Sequence, residues 1–338
     1  MPPPKKKTAL RIKKPPVLFT RTQKLITRLE SSLSAPVITY WNSAIGSVHR
    51  TDPIVLHEIL RKIGRQEQLY IFIKSDGGSG QVALRLVHLI RQFTTRLTAL
   101  IPLECASAAT MVALGADEIR MGPTAYLSAV DSSITHDLSP LDRDNDIVSV
   151  SQDELSRVVK LYDQKSTKPN DNPYEHLFKH VHPLVIGAVD RASSLAIRLC
   201  KEILSYHLQD TRKANQIANR LNAEYPSHGY PITISEAKHL GLKVRPLETE
   251  LNDLLIKLNE SYSEMGQKAI TDFDEHNHHD NQIVGIMESR DIQLFYQTDK
   301  DWHYKVEERR WTTLHDNSSW WRFEKQGRET MKTVFHIG

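Results

Sequence analysis

The 338-residue chain has little cysteine, no long apolar run and almost no net charge. Its two cysteines, Cys105 and Cys200, are too few for a disulfide framework and form no CxxC metal pair. No uninterrupted apolar stretch is long enough to span a bilayer. The net charge of +3 is too small to indicate a nucleic-acid partner by itself. We therefore expect a cytoplasmic protein that does not bind nucleic acid.

What is present indicates a globular protein with one large domain and an appendage. Hydrophobic residues make up 39% of the chain and charged residues 25%, which is ordinary for a packed core. Shifts in composition predict a disordered basic tail at 1–20, a main domain at 21–263, a polar linker at 264–281 and a small β-rich domain at 282–338. The tail lysines leave open a peripheral membrane contact beside the plainer interpretation of a solvated tail.

The first half of the chain alternates apolar strands with amphipathic helices. Asp52-Pro53 is typical of a helix start, with a capping side chain and a proline in the first turn. A continuous apolar run over 69–73 is typical of a buried parallel strand. A helix over 82–93, a strand over 97–101, a helix over 106–114 and a strand over 118–121 follow. This order predicts a mostly parallel α/β sheet with right-handed crossovers.

The second half has a different character. Its pattern predicts long helices over 153–165, 173–207, 211–221 and 248–263. Tryptophans in short alternating segments after residue 282 predict β structure. His276, His278 and His279 are metal-binding residue types, but no cysteine accompanies them and a solvated linker is the favoured interpretation. We therefore predict no metal site.

Two segments carry groups suited to acyl transfer. One strand runs into Gly77 and Gly78, and glycines let backbone N–H groups turn toward a developing negative charge. Ser107 stands at the start of a helix of small residues, whose free N–H groups also favour an oxyanion. Taken singly, the glycines indicate a turn and Ser107 a helix cap. Their separation by one β-α-β unit favours a nucleophile beside an oxyanion hole.

The combination resembles the Clp-type serine peptidases, and most closely the serine dehydrogenase proteinase family, relatives of signal peptide peptidase A. The resemblance covers approximately residues 21–258, with similar segments at 37–40, 116–123, 129–131, 182–191 and 227–232. It implies an α/β Clp/crotonase-like spiral of β-α-β units, with a helical second half and a small C-terminal β-rich appendage. It also implies an acyl-Ser107 intermediate, an oxyanion hole from the N–H groups of Gly77, Gly78 and Ala108, and a homo-oligomer that acts on peptides or unfolded protein without a cofactor.

Two positions depart from the family's pattern. Ala109 stands where a glycine usually follows two residues after the serine. Asp76 stands where a proline often precedes the paired glycines. Both substitutions leave Ser107 and the glycines in place, and both bear on the shape of the oxyanion hole.

The general base is the open question. A serine hydroxyl needs a neighbour to take its proton, and the region where Clp proteases carry a histidine, 125–131, has none. Signal peptide peptidase A relatives use a lysine on a later helix, and Lys160 stands at a comparable distance, with apolar neighbours that could desolvate it. An exposed helix lysine is the alternative interpretation. Asp131, His136 and His228 remain candidates for the base or for the residue that orients it.

The sequence therefore predicts a serine endopeptidase, with a Ser107–Lys160 dyad as the favoured arrangement. A non-catalytic Clp-fold scaffold is the first alternative. A crotonase-type acyl-CoA enzyme, which needs no nucleophilic serine, is the second. A binding protein that works through its C-terminal segment is the third.

Overall fold

The computed structural model describes residues 11–131, 133–143, 146–165, 172–327 and 329–337. The strands are β1 (Val37–Asn42), β2 (Gln66–Lys74), β3 (Thr94–Ile101), β4 (Glu104–Cys105), β5 (Glu118–Met121), β6 (Tyr126–Leu127), β7 (Ser133–Ile134), β8 (Val150–Ser151), β9 (Val244–Pro246), β10 (Ile270–Asp272), β11 (Asn277–Ser289), β12 (Ile292–Lys305), β13 (Arg310–Asp316), β14 (Ser319–Gln326) and β15 (Glu329–Phe335). The helices are α1 (Phe19–Leu33), α2 (Asp52–Ile63), α3 (Gly80–Phe93), α4 (Ala108–Leu114), α5 (Gln152–Lys165), α6 (Pro173–Leu177), α7 (Pro183–Leu204), α8 (Thr211–Ala223), α9 (Ile234–His239) and α10 (Thr249–Met265).

Five strands form the parallel part of the main sheet, in the order β1-β2-β3-β5-β9. β1 is buried along its whole length and β2 from Leu69 onward, which is why these strands are continuous apolar runs. Helices α2, α3 and α4 lie between successive strands and share one hydrophobic core with them. Ser75, just after β2, pairs with Cys105 of β4 in a parallel bridge. That bridge brings the glycines after β2 next to Ser107.

Helix starts in the first half follow local sequence signals. α2 begins at Asp52 with Pro53 in its first turn, as predicted. The predicted capping by Asp52 is wrong, because the N-cap is Thr51 and no side chain makes a capping hydrogen bond there. α3 begins after Ser79, whose Oγ accepts a hydrogen bond from Val82 N at 3.4 Å. The position of the glycine turn is therefore defined by β2 on one side and by a capped helix on the other.

The helical second half differs from the prediction at one point. The single helix predicted over 173–207 is two helices, because α6 ends at Leu177 and α7 begins at Pro183. His182 caps α7, since its Nδ1 accepts a hydrogen bond from Leu184 N at 3.2 Å. A residue before proline is disfavoured in helical backbone, which separates the two helices here.

The C-terminal strands continue the main sheet. β11 pairs antiparallel with β1, and β12, β14 and β15 follow as antiparallel neighbours. The β-rich character predicted for 282–338 is confirmed. The linker predicted at 264–281 is wrong from residue 270, because β10 and the first residues of β11 pair there. That 282–338 is a separate domain stays a prediction.

The predicted basic tail lies partly outside the described residues, which begin at residue 11. From 11 to 18 the backbone is neither helix nor strand, but Lys13 N donates to Thr271 Oγ1 at 2.8 Å. Leu18 packs against a second hydrophobic core, formed with α1, α10 and β11, and Phe19 is buried. The prediction of disorder is therefore wrong for 11–20. Within the described ranges, no helix has the length and apolar character needed to cross a bilayer.

Candidate active site

Ser107 lies in the tight turn between β4 and α4. Its backbone has φ +51° and ψ −121°, a conformation that residues other than glycine rarely adopt. Such a conformation costs on the order of 1–3 kcal/mol and is typical of active sites. The Ser107 side chain makes no helix-capping hydrogen bond. The helix-cap interpretation of this serine therefore has no hydrogen bond to support it.

The glycine turn packs directly against Ser107. Gly77 has φ +110° and Gly78 has φ +142°, which favour glycine over any other residue. A Cβ atom at Gly77 would lie 2.5 Å from Ser107 Cβ, and one at Gly78 would lie 2.6 Å from Val48 N. The turn therefore requires glycine at both positions, for its conformation and for the space it leaves to its neighbours.

Two backbone amides beside Ser107 have no acceptor among the described residues. They are the N–H groups of Gly78 and of Ala108, the first residue of α4, where helix geometry leaves amides unpaired. The N–H of Gly77 donates to Ser75 Oγ at 3.2 Å. Of the three predicted oxyanion donors, the amides of Gly78 and Ala108 are thus without an acceptor in the described residues. The Gly77 amide is already bonded, and Gly77 instead packs closely against Ser107.

A hydrogen-bond chain that the sequence did not reveal holds the serine turn. Ser107 N donates to Ser128 Oγ at 2.7 Å, and Ser128 N donates to Thr110 Oγ1 at 3.1 Å. Thr110 Oγ1 in turn donates to Cys105 O at 2.7 Å. Ser128 and Thr110 are fully buried, so these bonds fix the Ser107 backbone against the loop before β7. Neither residue belongs to a motif, and only the three-dimensional contact shows its position.

Ser107 opens into a cleft of about 220 Å³, here called the Ser107 cleft. Gly78, Ala108 and Asp131 line the same cleft. Ser79, Gln81 and Ser133 add polar groups to its wall. Its apolar side chains come from α4, α7 and the segment 130–134: Met111, Val130, Ile134, Leu195 and Leu199. A cleft that joins apolar side chains to convergent polar groups is a common form of binding site.

Asp131 links this cleft to a histidine 97 positions away. His228 Nδ1 lies 2.7 Å from Asp131 Oδ1. The Asp131 side chain is 15% exposed and that of His228 is 52% exposed. The hydrogen bond to Asp131 is the largest cause of a raised pKa at His228, and burial opposes it. The structure thus brings together two of the predicted base or orienting residues.

Lys160 and His136 lie elsewhere. Lys160 is exposed on α5 and does not line the Ser107 cleft. His136 Nδ1 accepts a hydrogen bond from Leu138 N at 3.1 Å, which fixes its own loop. No lysine or histidine lines the cleft among the described residues. The Ser107–Lys160 dyad stays a prediction without a contact to support it.

The two departures from the family pattern have distinct environments. Ala109 is fully buried in α4, and its N–H donates to Ala106 O at 2.9 Å. Asp76 is exposed just before the glycines. Neither side chain lines the Ser107 cleft. The neighbouring amides of Gly78 and Ala108 have no acceptor in the described part of the chain.

The C-terminal histidines are part of the sheet. His278 stacks on Trp302 with ring centroids 6.2 Å apart, and His279 Nδ1 lies 2.9 Å from Asp301 Oδ1. Across the described ranges, no group of three or more His, Cys, Asp or Glu side chains is arranged to hold a metal ion.

Comparison with known proteins gives relatives of unknown activity. No family model matches the chain. It is 26% identical over 193 residues to the uncharacterized protein MJ1495 of Methanocaldococcus jannaschii, in a match that covers 55% of this chain and 56% of that protein. The chain thus spans little more than half the length of that relative. The uncharacterized protein MJ0137 of the same organism is 23% identical over 268 residues, with 74% and 82% covered.

Two similar solved structures are mutant forms of the 1510-N membrane-bound stomatin-specific protease. The first, a serine-to-alanine mutant, has a TM-score of 0.39 and 16% identity, and the match covers 70% of this chain and 88% of that one. The second, a lysine-to-alanine mutant in complex with a substrate peptide, has a TM-score of 0.26 and 15% identity, and the match covers 68% and 99%. Similarities at this level do not establish an activity for the present chain.

Proposed function

We propose that the chain is a serine hydrolase that cleaves peptide bonds through an acyl-Ser107 intermediate. The proposal rests on the strained backbone of Ser107, whose side chain makes no helix-capping hydrogen bond. Beside it lie the amides of Gly78 and Ala108, which have no acceptor among the described residues. A strained serine between a strand and a helix, next to paired amide donors, is the arrangement of a nucleophile elbow. A merely structural helix cap needs neither the strain nor the glycine packing.

The chemistry follows from these groups. Ser107 Oγ attacks the substrate carbonyl carbon while its proton passes to a general base. The Gly78 and Ala108 N–H groups stabilise the oxyanion, which then collapses, and the protonated base gives its proton to the leaving amine. Water, activated by the same base, cleaves the acyl ester and regenerates the serine. Each oxyanion donor in such a site contributes about 2.7–4 kcal/mol to transition-state stabilisation.

We favour the pair Asp131–His228 as the base, because Asp131 lines the Ser107 cleft and contacts His228. Asp131 engages Nδ1 of the ring, which leaves Nε2 as the proton acceptor. Asp131 would orient the imidazole and stabilise its protonated form, as the acid does in a serine triad. Lys160 is the rival, because the family resemblance implies a lysine base. Apo-state distances in such sites are often long, so variants rather than distances decide between the two.

Substrate and assembly belong to the same proposal. We expect an extended or unfolded peptide as substrate and a homo-oligomer in the cytoplasm as the working form. Support for self-association comes from the number of exposed apolar side chains within the segment 138–195: Leu138, Leu141, Ile147, Val148, Val158, Leu161, Tyr174, Phe178, Leu184 and Leu195. Where such side chains are contiguous, they commonly mark interaction surfaces.

A fluorophosphonate probe tests the nucleophile. The intact chain should be labelled, Ser107→Ala should abolish labelling, and Ser205→Ala, an exposed serine after α7, should label at the normal rate. His228→Gln should slow labelling strongly and Lys160→Gln should not. The reverse result for these two would establish the lysine dyad.

One observation favours a second function, that of a non-catalytic scaffold. Among the described residues that line the Ser107 cleft, none is a histidine or a lysine. A scaffold would resist the probe in the intact oligomer while keeping its assembly. If the Ser107→Ala variant still hydrolyses an acyl-CoA, the chain would instead have crotonase-type chemistry.

A further inference from the structure

A second cavity, of about 230 Å³, is lined by residues of the 43–51 loop, which bonds to the glycine turn, and by residues of the C-terminal strands. It is here called the seam cavity, because it lies between that loop and those strands. Its walls include Asn42 at the end of β1, Asp52 at the start of α2, Tyr296 and Thr298 on β12, and Trp320 on β14. Nothing in the chemistry proposed for Ser107 uses this space.

The seam cavity contains a buried carboxylate without a cation. Asp52 is 3% exposed, and its Oδ2 accepts hydrogen bonds from Tyr40 OH at 2.5 Å and from His49 N at 2.8 Å. Among the described residues, no lysine or arginine pairs with Asp52 and no donor contacts its Oδ1. Burial raises the pKa of Asp52 to about 7. A carboxylate that is buried without a paired cation is strongly stabilised by any cation that reaches it.

Asn42 and the aromatic wall also favour a cationic ligand in the seam cavity. Asn42, 4% exposed, has an Oδ1 atom without a hydrogen-bond partner in the described part of the chain. Tyr296 and Trp320 place their rings 5.6 Å apart in the wall, and Trp320 Nε1 donates to Thr51 Oγ1 at 3.2 Å. Oxygen acceptors beside aromatic faces suit an organic cation, through charge-assisted hydrogen bonds and cation–π attraction.

We propose that the seam cavity binds a small organic cation with N–H donors, of the alkylammonium class. The volume is below the usual 300–1,000 Å³ of drug-sized sites, which limits the ligand to a small molecule or a single side-chain-sized group. Asp52 and Asn42 accept from the ammonium head, and the aromatic wall contacts the alkyl chain. One carboxylate with an amide is a poor set for a metal ion, which agrees with the absence of a three-ligand cluster in the described residues.

Occupancy of the seam cavity is coupled to the glycine turn. Ser47 and His49 line the cavity, while Val48 between them bonds to the turn. Val48 N donates to Gly77 O at 2.7 Å, and Ser79 N donates to Val48 O at 3.0 Å. A ligand that orders the 46–52 loop therefore also orders the backbone on which Gly78 presents its amide. Its effect on catalysis rests on the function proposed above, but binding and backbone ordering do not.

Titration of the full chain with three four-carbon probes tests the site. The probes are n-butylammonium, 1-butanol and butanoate, measured by ligand-observed NMR at neutral pH. We expect n-butylammonium to bind at least about tenfold more tightly than 1-butanol, the difference that one charged hydrogen bond supplies. Hydrogen exchange in a peptide containing residues 77–79 should slow when the ammonium probe is bound. Equal binding of the alcohol, or tighter binding of butanoate, would overturn the proposal.

Variants separate this site from a general surface effect. Asp52→Asn should reduce the preference for the ammonium to within about twofold. Thr298→Leu fills the cavity from β12, whereas Asp52 belongs to α2, and it should remove binding of every probe. It tests the site even if Asp52→Asn proves unstable. Thr333→Leu, the same change on exposed β15, is the control and should bind normally. Binding that survives Thr298→Leu refutes the site, and binding without slower exchange refutes the coupling, whether or not Ser107 is reactive.

Discussion

The buried Glu288 of the antiparallel half and the polar groups around Ser107, beside the parallel half, differ in how completely they are hydrogen-bonded. In the antiparallel half Glu288 is fully buried and accepts hydrogen bonds from four side chains: Thr22, Gln23, Tyr262 and Gln293. At the ends of the parallel strands, the Ser107 side chain and the Gly78 and Ala108 amides have no such partners among the described residues. Bonded polar groups hold a fold together, whereas free ones on a strained backbone are available to a substrate.

Of the variants considered, Gly77→Ala should change the reactivity of Ser107 most. Its Cβ would lie 2.5 Å from Ser107 Cβ at a φ of +110°, so either the turn or the serine must move. We expect fluorophosphonate labelling of Ser107 to slow by about a hundredfold or more. Urea denaturation should show a loss of about 1–3 kcal/mol in the free energy of unfolding.

The matched control is Gly187→Ala on α7, where, among the described residues, the new Cβ meets no atom within 4 Å outside the helix's own backbone. Alanine there should be neutral or stabilise the helix by up to about 1 kcal/mol. Labelling of Gly77→Ala at the normal rate would show that the glycine turn is only a connection.

Glu288→Gln tests the contribution of the buried Glu288 carboxyl to stability in the antiparallel half of the sheet. Burial raises the pKa of Glu288 to about 7, so the folded chain holds a proton that the unfolded chain releases near pH 4.5. The stability of the natural chain should therefore fall as the pH rises from about 4.5 through about 7. This carboxyl accounts for up to about 3 kcal/mol of that fall.

The glutamine variant should lack that part of the pH dependence while keeping the part due to Asp52. Chemical denaturation at a series of pH values measures the difference between the two chains. Glu260→Gln, an exposed residue of α10, should follow the natural chain. A constant difference between Glu288→Gln and the natural chain across the pH range would contradict the burial argument.

Asp131→Asn should have a smaller, pH-dependent effect. The hydrogen bond to Asp131 raises the pKa of His228, and a base must be unprotonated to act. The labelling rate of the natural chain should rise as the pH passes that raised pKa. In the variant this rise should move to lower pH, and the plateau should fall by about tenfold or more. An unchanged pH–rate profile would remove Asp131 and His228 from the mechanism.

Lys160→Gln should have the smallest effect, because the side chain is exposed on α5. We expect labelling within about twofold of the natural chain, as for most surface substitutions. Lys201→Gln, on an exposed position of α7, is the comparison. A loss of labelling in Lys160→Gln but not in Lys201→Gln would support the predicted Ser107–Lys160 dyad. Lys160, and not His228, would then be the base.

Local patterns in the sequence were enough to predict the parallel half. Apolar runs defined β2 and β3, Asp52-Pro53 marked α2, and the β-α-β order placed Gly77 near Ser107. These features depend on neighbours in the chain or on the next strand, so periodicity and capping signals report them. The resemblance to a peptidase family supplied the chemical interpretation.

Contacts between distant segments could not be predicted in this way. The 264–281 segment is polar, yet it contains β10 and the start of β11, which pair with each other, and β11 also pairs with β12. Further along, residues 285–288 of β11 pair with β1, more than 240 positions earlier. Asp131 meets His228 across 97 positions, and Ser128 supports Ser107 across 21. No local pattern encodes such pairs, because they arise only when the sheet order and loop positions are set.

Direct detection of an acyl-enzyme tests the central claim most sharply. The chain would be mixed with a peptide ester, quenched in acid after a short time and digested for mass spectrometry. We predict one acyl adduct, located on Ser107 and absent from Ser107→Ala. Product formation without an adduct on Ser107, or an adduct that persists on another residue in the alanine variant, would contradict the account.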